Sequence, residues 1–462
     1  MAARCGSCHR LRLSGNDLSC CAGAHPRPHG NLGDRRRDFL ASVLFPYPGL
    51  GTFGSCRRKR AFRNDSCGAF LVRVKHGARG GSLKIGVDYR PALLNRTGIG
   101  RYTRELVRAM AALEDLPELY LYGHSLTKAA FPPATLGINR EGVRLVRKRL
   151  SGRAIGLLQR CTGIGIESFL GPIDLFHYTD YSYPRLRRTP FVCTLYDTTF
   201  LEPGFFRPRD SAALTLRTAW ALAHSRLLLV PSSFTAHELI SRMGAEPDRI
   251  TVIHLGADHI SPPVSPQAPD RRGPYILTVG SLEPRKNHSR ILLALEVLAG
   301  RGISTRWIIA TSKGWMNKPF LKRLAMSPIR ERVEIRWNVP EEEVAILYAG
   351  AELMIYASLC EGFGLPPLEA MRCGSPVLSS HVSSMPEVCG DAAYYFDPRC
   401  VDSIAEAVEK VIRNDSLRRQ LREAGFRRAA QFRWADTARA TLAAYRTALL
   451  QADGATSHLV KA

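Results

Sequence analysis

Two glutamates separated by seven residues, in Glu361-Gly-Phe-Gly-Leu-Pro-Pro-Leu-Glu369, are the side chains of this sequence best placed to do chemistry. The apolar run Leu353-Met-Ile-Tyr-Ala357 precedes them, and Ala370-Met-Arg-Cys-Gly374 follows. That order predicts a buried strand, a glycine-bearing loop and a short helix. Glycine lets a backbone approach a ligand closely. Proline is tolerated in a first helical turn, and Gly374 can close the helix in the left-handed conformation. A helix leaving such a loop directs backbone N–H groups at an anion. Glu361 in the loop and Glu369 in the helix then flank whatever sits there. Spacing alone slightly favours the plainer reading, an ordinary strand–helix turn with two solvated glutamates.

A second pair lies in Gly280-Ser-Leu-Glu-Pro-Arg-Lys-Asn287, a strand-to-helix loop. Cations are disfavoured at a helix N-terminus, so Arg285 beside Lys286 suggests a bound anion, with solvated charge as the alternative. Arginine supplies a planar fork and lysine a point charge, a combination suited to a diphosphate. No Asp-x-Asp occurs, and no His/Cys/Asp cluster has metal-ligand spacing, so no metal site is expected. The charge of a leaving diphosphate then falls to Arg285, Lys286 and the helix dipole after Phe363-Gly364. Glu369 suits a ribose diol, because an ionised carboxylate only accepts hydrogen bonds and a diol donates two. Glu361 suits sugar hydroxyls.

The first half offers a weaker set. Gly98-Ile-Gly100 follows a predicted strand at Lys84–Tyr89 and opens a helix. It begins like a dinucleotide fingerprint, but Thr103 stands where the third glycine belongs, and a lone Gly-x-Gly fits any polar ligand. His177 and Asp197 end two apolar runs, and strand C-termini of parallel sheets face the ligand crevice. A locally satisfied histidine and a helix-capping aspartate have an even claim.

The elements that must hold these residues alternate in type. Short apolar runs at 84–89, 174–180, 190–197, 227–230 and 250–253 are interleaved with helical patterns. A second series follows at 275–279, 307–310, 333–335, 353–357, 376–378 and 393–396, with helices over 401–413, 415–431 and 434–450. Such alternation predicts parallel sheets covered on both faces. The proline-rich stretch 259–274 reads as a linker, placing one domain at 83–258 and another at 275–433, with a last helix at 434–452. A chain of 462 residues has room for both.

Lysine and arginine outnumber acids 65 to 41, a net charge of +24 that is densest before residue 82. Residues 1–82 are rich in Arg, Gly, Ser, Pro and Cys, and are expected to be a disordered basic extension. Cys5-Gly-Ser-Cys8-His9 has the c-type haem pattern, and Cys5, Cys8, Cys20 and Cys21 could chelate zinc. A transit peptide and an upstream extension of the reading frame are further readings; disorder or extension is preferred. Of the twelve cysteines, the six from Cys161 to Cys400 are scattered, which fits free thiols in a reducing compartment.

The motifs as a set resemble the retaining glycosyltransferases of family four. Glu361 to Glu369 resembles their Glu-x7-Glu signature. Thr97-Gly-Ile-Gly-Arg-Tyr102, Tyr196-Asp197, Gly256-Ala-Asp258, Gly280 to Asn287, Lys313-Gly-Trp315, Val339-Pro340, Met371-Arg-Cys-Gly-Ser-Pro376, Ser383-Ser-Met-Pro-Glu387 and Gly390-Asp-Ala392 resemble further landmarks in the family's order. The resemblance implies the GT-B fold, two Rossmann-like doubly wound parallel-sheet domains facing a central cleft. It implies a hexose, mannose first, moved from a nucleotide-diphosphate sugar such as GDP-mannose to a glycan or lipid-linked acceptor in polysaccharide biosynthesis, without a cofactor.

By the same resemblance Arg285 and Lys286 bind the diphosphate, Glu369 the ribose and Glu361 the sugar. Phe363, Gly364 and Leu365 contact sugar or phosphate, Val339 lies against the base, and Gly98 and Gly100 line the cleft. The last helix crosses back to the first domain. Glu361, Asp197 and Tyr196 are the candidate catalytic residues, although Tyr196 stands where many members carry histidine, and Asn338 stands where glycine is common. The expected location is cytoplasmic, with peripheral contact to an anionic inner membrane face and no nucleic-acid partner. Alternatives are a sugar-nucleotide epimerase or hydrolase on the same fold, or a degenerate nucleotide-binding protein.

Overall fold

A computed structural model describes residues 82–94, 98–126, 137–263, 272–312 and 314–459, with side chains as far as 450. The N-terminal extension with its cysteines, Thr97, Lys313 and linker residues 264–271 lie outside the described residues.

The first sheet is built from β1 (Lys84–Asp88), β2 (Glu118–His124), β3 (Val143–Lys148), β4 (Leu175–Tyr178), β5 (Phe191–Thr194), β6 (Leu228–Val230) and β7 (Ile250–Val252). Its strand order is β3-β2-β1-β4-β5-β6-β7. The second sheet contains β8 (Tyr275–Val279), β9 (Arg306–Thr311), β10 (Val333–Trp337), β11 (Leu353–Tyr356), β12 (Val377–Ser380) and β13 (Ala393–Phe396), in the order β10-β9-β8-β11-β12-β13. Every pairing is parallel. Each order reverses once, between β1 and β4 and between β8 and β11, and the crevice at such a reversal is where doubly wound sheets bind ligands. Two strands go beyond the expected set, β2 and β3. β3 is an edge strand whose arginines and lysine interrupt any apolar run, so only its alternation marks it.

The helices between the strands of the first sheet are α1 (Arg90–Leu94), α2 (Gly98–Ala111), α3 (Gly152–Thr162), α4 (Glu167–Leu170), α5 (Pro208–His224) and α6 (Ser233–Met243). Those of the second are α7 (His288–Gly300), α8 (Lys318–Ala325), α9 (Glu341–Gly350), α10 (Leu365–Arg372), α11 (Met385–Cys389), α12 (Val401–Ile412) and α13 (Asp415–Ala429). α14 (Trp434–Leu459) ends the described chain.

Because successive strand residues point to opposite faces, buried strands feed two cores. In β11, Leu353 and Ile355 pack under α7 and α12, with Ile291, Leu295, Ile404 and Val408. Met354 and Tyr356 face the other way, into the core shared with Leu368 and Met371 of α10. In the first lobe Phe176, Tyr178, Cys193 and Leu195 pack with Leu239 of α6. Tyr102, Leu106 and Met110 of α2 pack with Tyr445 and Ala448 of α14 on the opposite face.

α14 therefore lies on the first lobe, and local chemistry puts it there. The Asp258 carboxylate accepts from the Trp434 N–H at 2.8 Å, capping the helix start. A Cβ on Gly256 would fall 2.2 Å from the Trp434 nitrogen, so that approach requires glycine.

Candidate functional site

The stretch from Glu361 to Glu369 begins where β11 ends, and Arg285 and Lys286 follow β8, the neighbouring strand across the reversal. Gly364 sits at φ 103°, turning the chain into α10, with Pro366 and Pro367 in the first turn. Gly374, at φ 79°, follows the last turn in the left-handed region. Local sequence thus sets the strand–loop–helix that carries both glutamates.

Neither glutamate is solvated. Glu361 is 6% exposed and Glu369 3%, which overturns the plainer reading. A buried carboxylate requires partners, and the two find theirs in different places. Glu361 Oε2 lies 2.5 Å from Arg285 Nη1, and Oε1 lies 2.6 Å from Lys286 Nζ. The Tyr356 hydroxyl donates to the same Oε1 at 3.0 Å, and Lys286 donates to Tyr356 Oη at 2.6 Å. Burial pushes the Glu361 carboxyl upward, but Arg285 and Lys286 outweigh it and hold the group at about 2. Glu361 is therefore an anion at neutral pH. Burial depresses the Lys286 ammonium below its ordinary value against the pull of Glu361. Arg285 Nε lies 2.7 Å from Glu283, a buried acid, so its guanidinium is held between two carboxylates.

Glu369 looks to the other lobe. Its Oε1 lies 2.6 Å from Arg101 Nη1 in the first turn of α2, and 3.0 Å from His259 Nε2. The Tyr348 hydroxyl donates to Oε2 at 3.0 Å. Burial again pushes upward, and Arg101, with hydrogen bonds from His259 and Tyr348, holds the carboxyl at about 2. His259 opens the stretch expected to be a linker, yet its side chain is 1% exposed.

The lobes also meet on the loop itself. A Cβ on Gly362 would lie 1.8 Å from the Tyr196 carbonyl oxygen and 2.8 Å from Asp197 Cβ. Only glycine permits this contact, and it is what brings Tyr196 and Asp197 beside Glu361. The Gly362 carbonyl accepts from Ser232 Oγ at 2.6 Å. Ser232 also caps α6, accepting from the Thr235 N–H at 3.1 Å, so one hydroxyl fixes the helix and grips the loop. Glu387 of α11 accepts from the Ser233 and Phe234 amides at 2.8 and 3.2 Å. The Trp315 indole donates to the Phe205 carbonyl at 2.8 Å.

The remaining candidates divide. Asp197 is half-buried, and its Oδ1 accepts from the Thr199 N–H and Oγ1 at 3.0 and 2.6 Å. The Tyr196 hydroxyl donates to the Thr179 carbonyl at 2.7 Å, and burial pushes its pKa well up. The hydroxyl is therefore neutral at ordinary pH, with its proton engaged by that carbonyl. Phe363 is buried between His254 and Phe432. Val339 packs on the shared core. It follows Asn338, which takes φ 54°, a left-handed conformation that asparagine tolerates in glycine's place. A Cβ on Gly98 would meet nothing within 4 Å, whereas Gly100 is buried in α2.

His177 proves to be a core residue. It is 0% exposed and bonded to Tyr445 and Thr194, both at 2.7 Å, and burial depresses it to about 3, so it is neutral. Among the described residues no cluster of three or more His, Cys, Asp or Glu could hold a metal ion. No described helix is long and apolar enough to cross a membrane.

The residues absent from the sequence reading of the site are Arg101, His259, Tyr348, Tyr356 and Glu283. Arg101 and Glu283 both lie inside motifs already singled out by their neighbours.

Comparison with known proteins follows the same division of the chain. The family described as Glycosyl transferases group 1 matches residues 265–428, and Glycosyltransferase Family 4 matches residues 96–260. The O-antigen chain mannosyltransferase B of Escherichia coli is 30% identical over 396 residues, covering 79% of this chain and 100% of that protein. Among solved structures, a sucrose-phosphate synthase from Thermosynechococcus elongatus is similar with a TM-score of 0.63 at 16% identity, covering 79% of this chain and 98% of that one. Anabaena Alr3699/HepE in complex with UDP and glucose has a TM-score of 0.61 at 15% identity, covering 79% and 100%. Both share the GT-B fold with this chain.

Proposed function

The chain belongs to the family-four, group 1 glycosyltransferases, and on that premise we propose that it moves a hexose, mannose first, from a nucleotide-diphosphate sugar to a glycan or lipid-linked acceptor in polysaccharide biosynthesis. The observation that carries this reading is the convergence of Arg285, Lys286 and Glu361 at the reversal of the second sheet, with Glu369 in the short helix α10 that leaves the loop. The mannosyltransferase name of the Escherichia coli relative and the UDP and glucose held by the Anabaena neighbour support the donor class.

In this reading Arg285 and Lys286 take the diphosphate and offset the charge that develops on it as the sugar leaves. Such fixed cations act strongly because they are buried and need no reorganisation. Glu361, ionised and held by both cations and Tyr356, has an acceptor position left on Oε2 for a sugar hydroxyl beside the breaking bond. The acceptor hydroxyl gives its proton to the departing phosphate, so the transfer retains configuration without a dedicated base. Tyr196 contributes shape, since its hydroxyl is bonded to Thr179. The two lobes close over the loop at Gly362 and limit loss of donor to water. Two side-chain cations take the part that a divalent ion plays elsewhere, so activity is expected to survive chelation. A lipid-linked acceptor brings the enzyme to a membrane face, and a net charge of +24 suits an anionic one.

The test is a panel of GDP- and UDP-sugars offered with and without glycan acceptors, with products read by mass spectrometry. Hexose transfer from GDP-mannose is the expected result. Donor consumption without any acceptor product points instead to a hydrolase or epimerase on this fold, and no consumption of any donor overturns the reading.

A further inference from the structure

Glu283 is the acid of the site that the transfer chemistry leaves unused. It lies between β8 and Arg285, and only 3% of it is exposed. Neither of its carboxylate oxygens accepts a hydrogen bond from a described residue. Arg285 Nε lies 2.7 Å from Oε1, an ion pair without hydrogen-bond alignment. Glu361 differs: it is bonded by Lys286 and Tyr356 and paired with Arg285 as well. A buried carboxylate without hydrogen bonds is costly to keep charged. Burial accordingly pushes the Glu283 carboxyl above its ordinary value, against the pull of Arg285 and Lys286.

The charge balance of the cluster gives this acid a task. Arg285 and Lys286 face Glu283 and Glu361, two cations against two carboxylates, before any ligand arrives. Asp197 of the other lobe adds negative charge. Tyr356 and Cys360, the other titratable groups around the cluster, are neutral, because burial raises both. The diphosphate of a nucleotide sugar brings two further negative charges. The dipole of α10 offsets only about half a charge of that surplus. A proton taken up by one carboxylate relieves it, because an uncompensated buried charge is the costlier state. Glu361 is held at about 2 by its two cations. Asp197 Oδ1 is already bonded by the Thr199 N–H and hydroxyl. Glu283 is the carboxylate of the three that no hydrogen bond holds in its charged form.

We propose that Glu283 takes a proton from solvent when the diphosphate of the donor binds, and returns it when the nucleoside diphosphate leaves. Protonation removes the internal anion from Arg285 Nε, so the guanidinium charge is turned wholly to the phosphates. Glu283 is thus a positioning residue that acts through Arg285. This rests on the nucleotide-sugar reading above and adds to it a proton that travels with donor binding.

The experiment is calorimetric titration of wild type and Glu283→Gln with GDP-mannose and UDP-glucose, in buffers of different ionisation enthalpy. Nucleotide sugars carry no phosphate group that titrates near neutral pH, so the slope of enthalpy against buffer ionisation counts protons taken up by the protein. Wild type is expected to take up about 0.5–1 proton at neutral pH, and its affinity to fall by as much as about tenfold per pH unit as pH rises. Glu283→Gln, whose amide reproduces the neutral acid, is expected to bind at least as tightly, with no proton uptake and an affinity independent of pH. Uptake that persists in Glu283→Gln overturns the proposal and assigns the proton to Lys286, whose ammonium burial depresses. Wild type with no uptake and a flat affinity between about pH 6 and pH 8.5 overturns it as well. So does a Glu283→Gln protein that binds neither donor, because the neutral side chain is the one the bound state requires. Wild type that binds neither donor overturns the nucleotide-sugar reading itself.

Discussion

The two glutamates of one nine-residue stretch make an instructive pair. Both are buried and both are held near 2, yet Glu361 is neutralised within its own lobe and Glu369 largely from the other. Glu361 depends on β8 and β11 being neighbours in one sheet. Glu369 depends on α2, a segment 268 residues away, lying against α10. Identical chemistry at fixed spacing therefore serves two ends: a charge cluster that stands whenever the second lobe is folded, and one assembled by the meeting of lobes.

Substitution should separate the two. Glu361→Gln removes the anion that orients Arg285 and Lys286 beside the sugar, and a fall in kcat on the order of a hundred- to a thousandfold is expected. Nucleoside diphosphate binding should be at least as tight as in wild type, since both cations are released from an internal carboxylate. Glu369→Gln should act mainly on KM, weakening donor binding by about ten- to a hundredfold with a smaller change in kcat. Steady-state kinetics with varied donor distinguish these patterns.

Acid unfolding sharpens the comparison. Each carboxyl titrates at about 2 in the folded chain against an ordinary 4.5. The stabilisation they contribute is complete above pH 4.5 and is lost as pH falls toward 2. Thermal midpoints should therefore drop across that window, and either glutamine substitution should flatten the drop. Differential scanning calorimetry from pH 6 downward checks this.

Gly362→Ala strikes the lobe contact. A methyl group 1.8 Å from the Tyr196 carbonyl forces backbone apart, and a loss of about 1–3 kcal/mol is expected in chemical denaturation. Because Glu369 needs the lobes together, this variant should resemble Glu369→Gln in its kinetics more than Glu361→Gln. The smallest effect is assigned to Tyr196→Phe, which loses one hydrogen bond, about 1 kcal/mol, with kcat changed by less than tenfold. A collapse of kcat in that variant would make Tyr196 chemical after all.

How far these features can be read from sequence follows the same local-versus-distant line. Apolar runs and their alternation with helical patterns reveal the strands around the site, and Ser232, Gly364 and Gly374 cap or turn the chain as their types predict. β3 is harder, since an edge strand need not be apolar. Arg285, Lys286 and Glu361 could be grouped because adjacent strands of one sheet bring them together. Arg101 and His259 could not be assigned to Glu369, because periodicity tells which face of α2 is buried but not which lobe covers it. His177 stays open in the sequence: a strand-end histidine resembles a site residue until Tyr445 of α14 is found against it, and the locally satisfied alternative holds.

The most direct measurement of the division between the glutamates pairs nucleoside diphosphate affinity with sugar transfer in Glu361→Gln and Glu369→Gln. The predicted result is that Glu361→Gln binds the diphosphate undiminished yet scarcely transfers, while Glu369→Gln binds weakly but transfers at saturating donor. The opposite assignment, with affinity lost in Glu361→Gln and kept in Glu369→Gln, would contradict it.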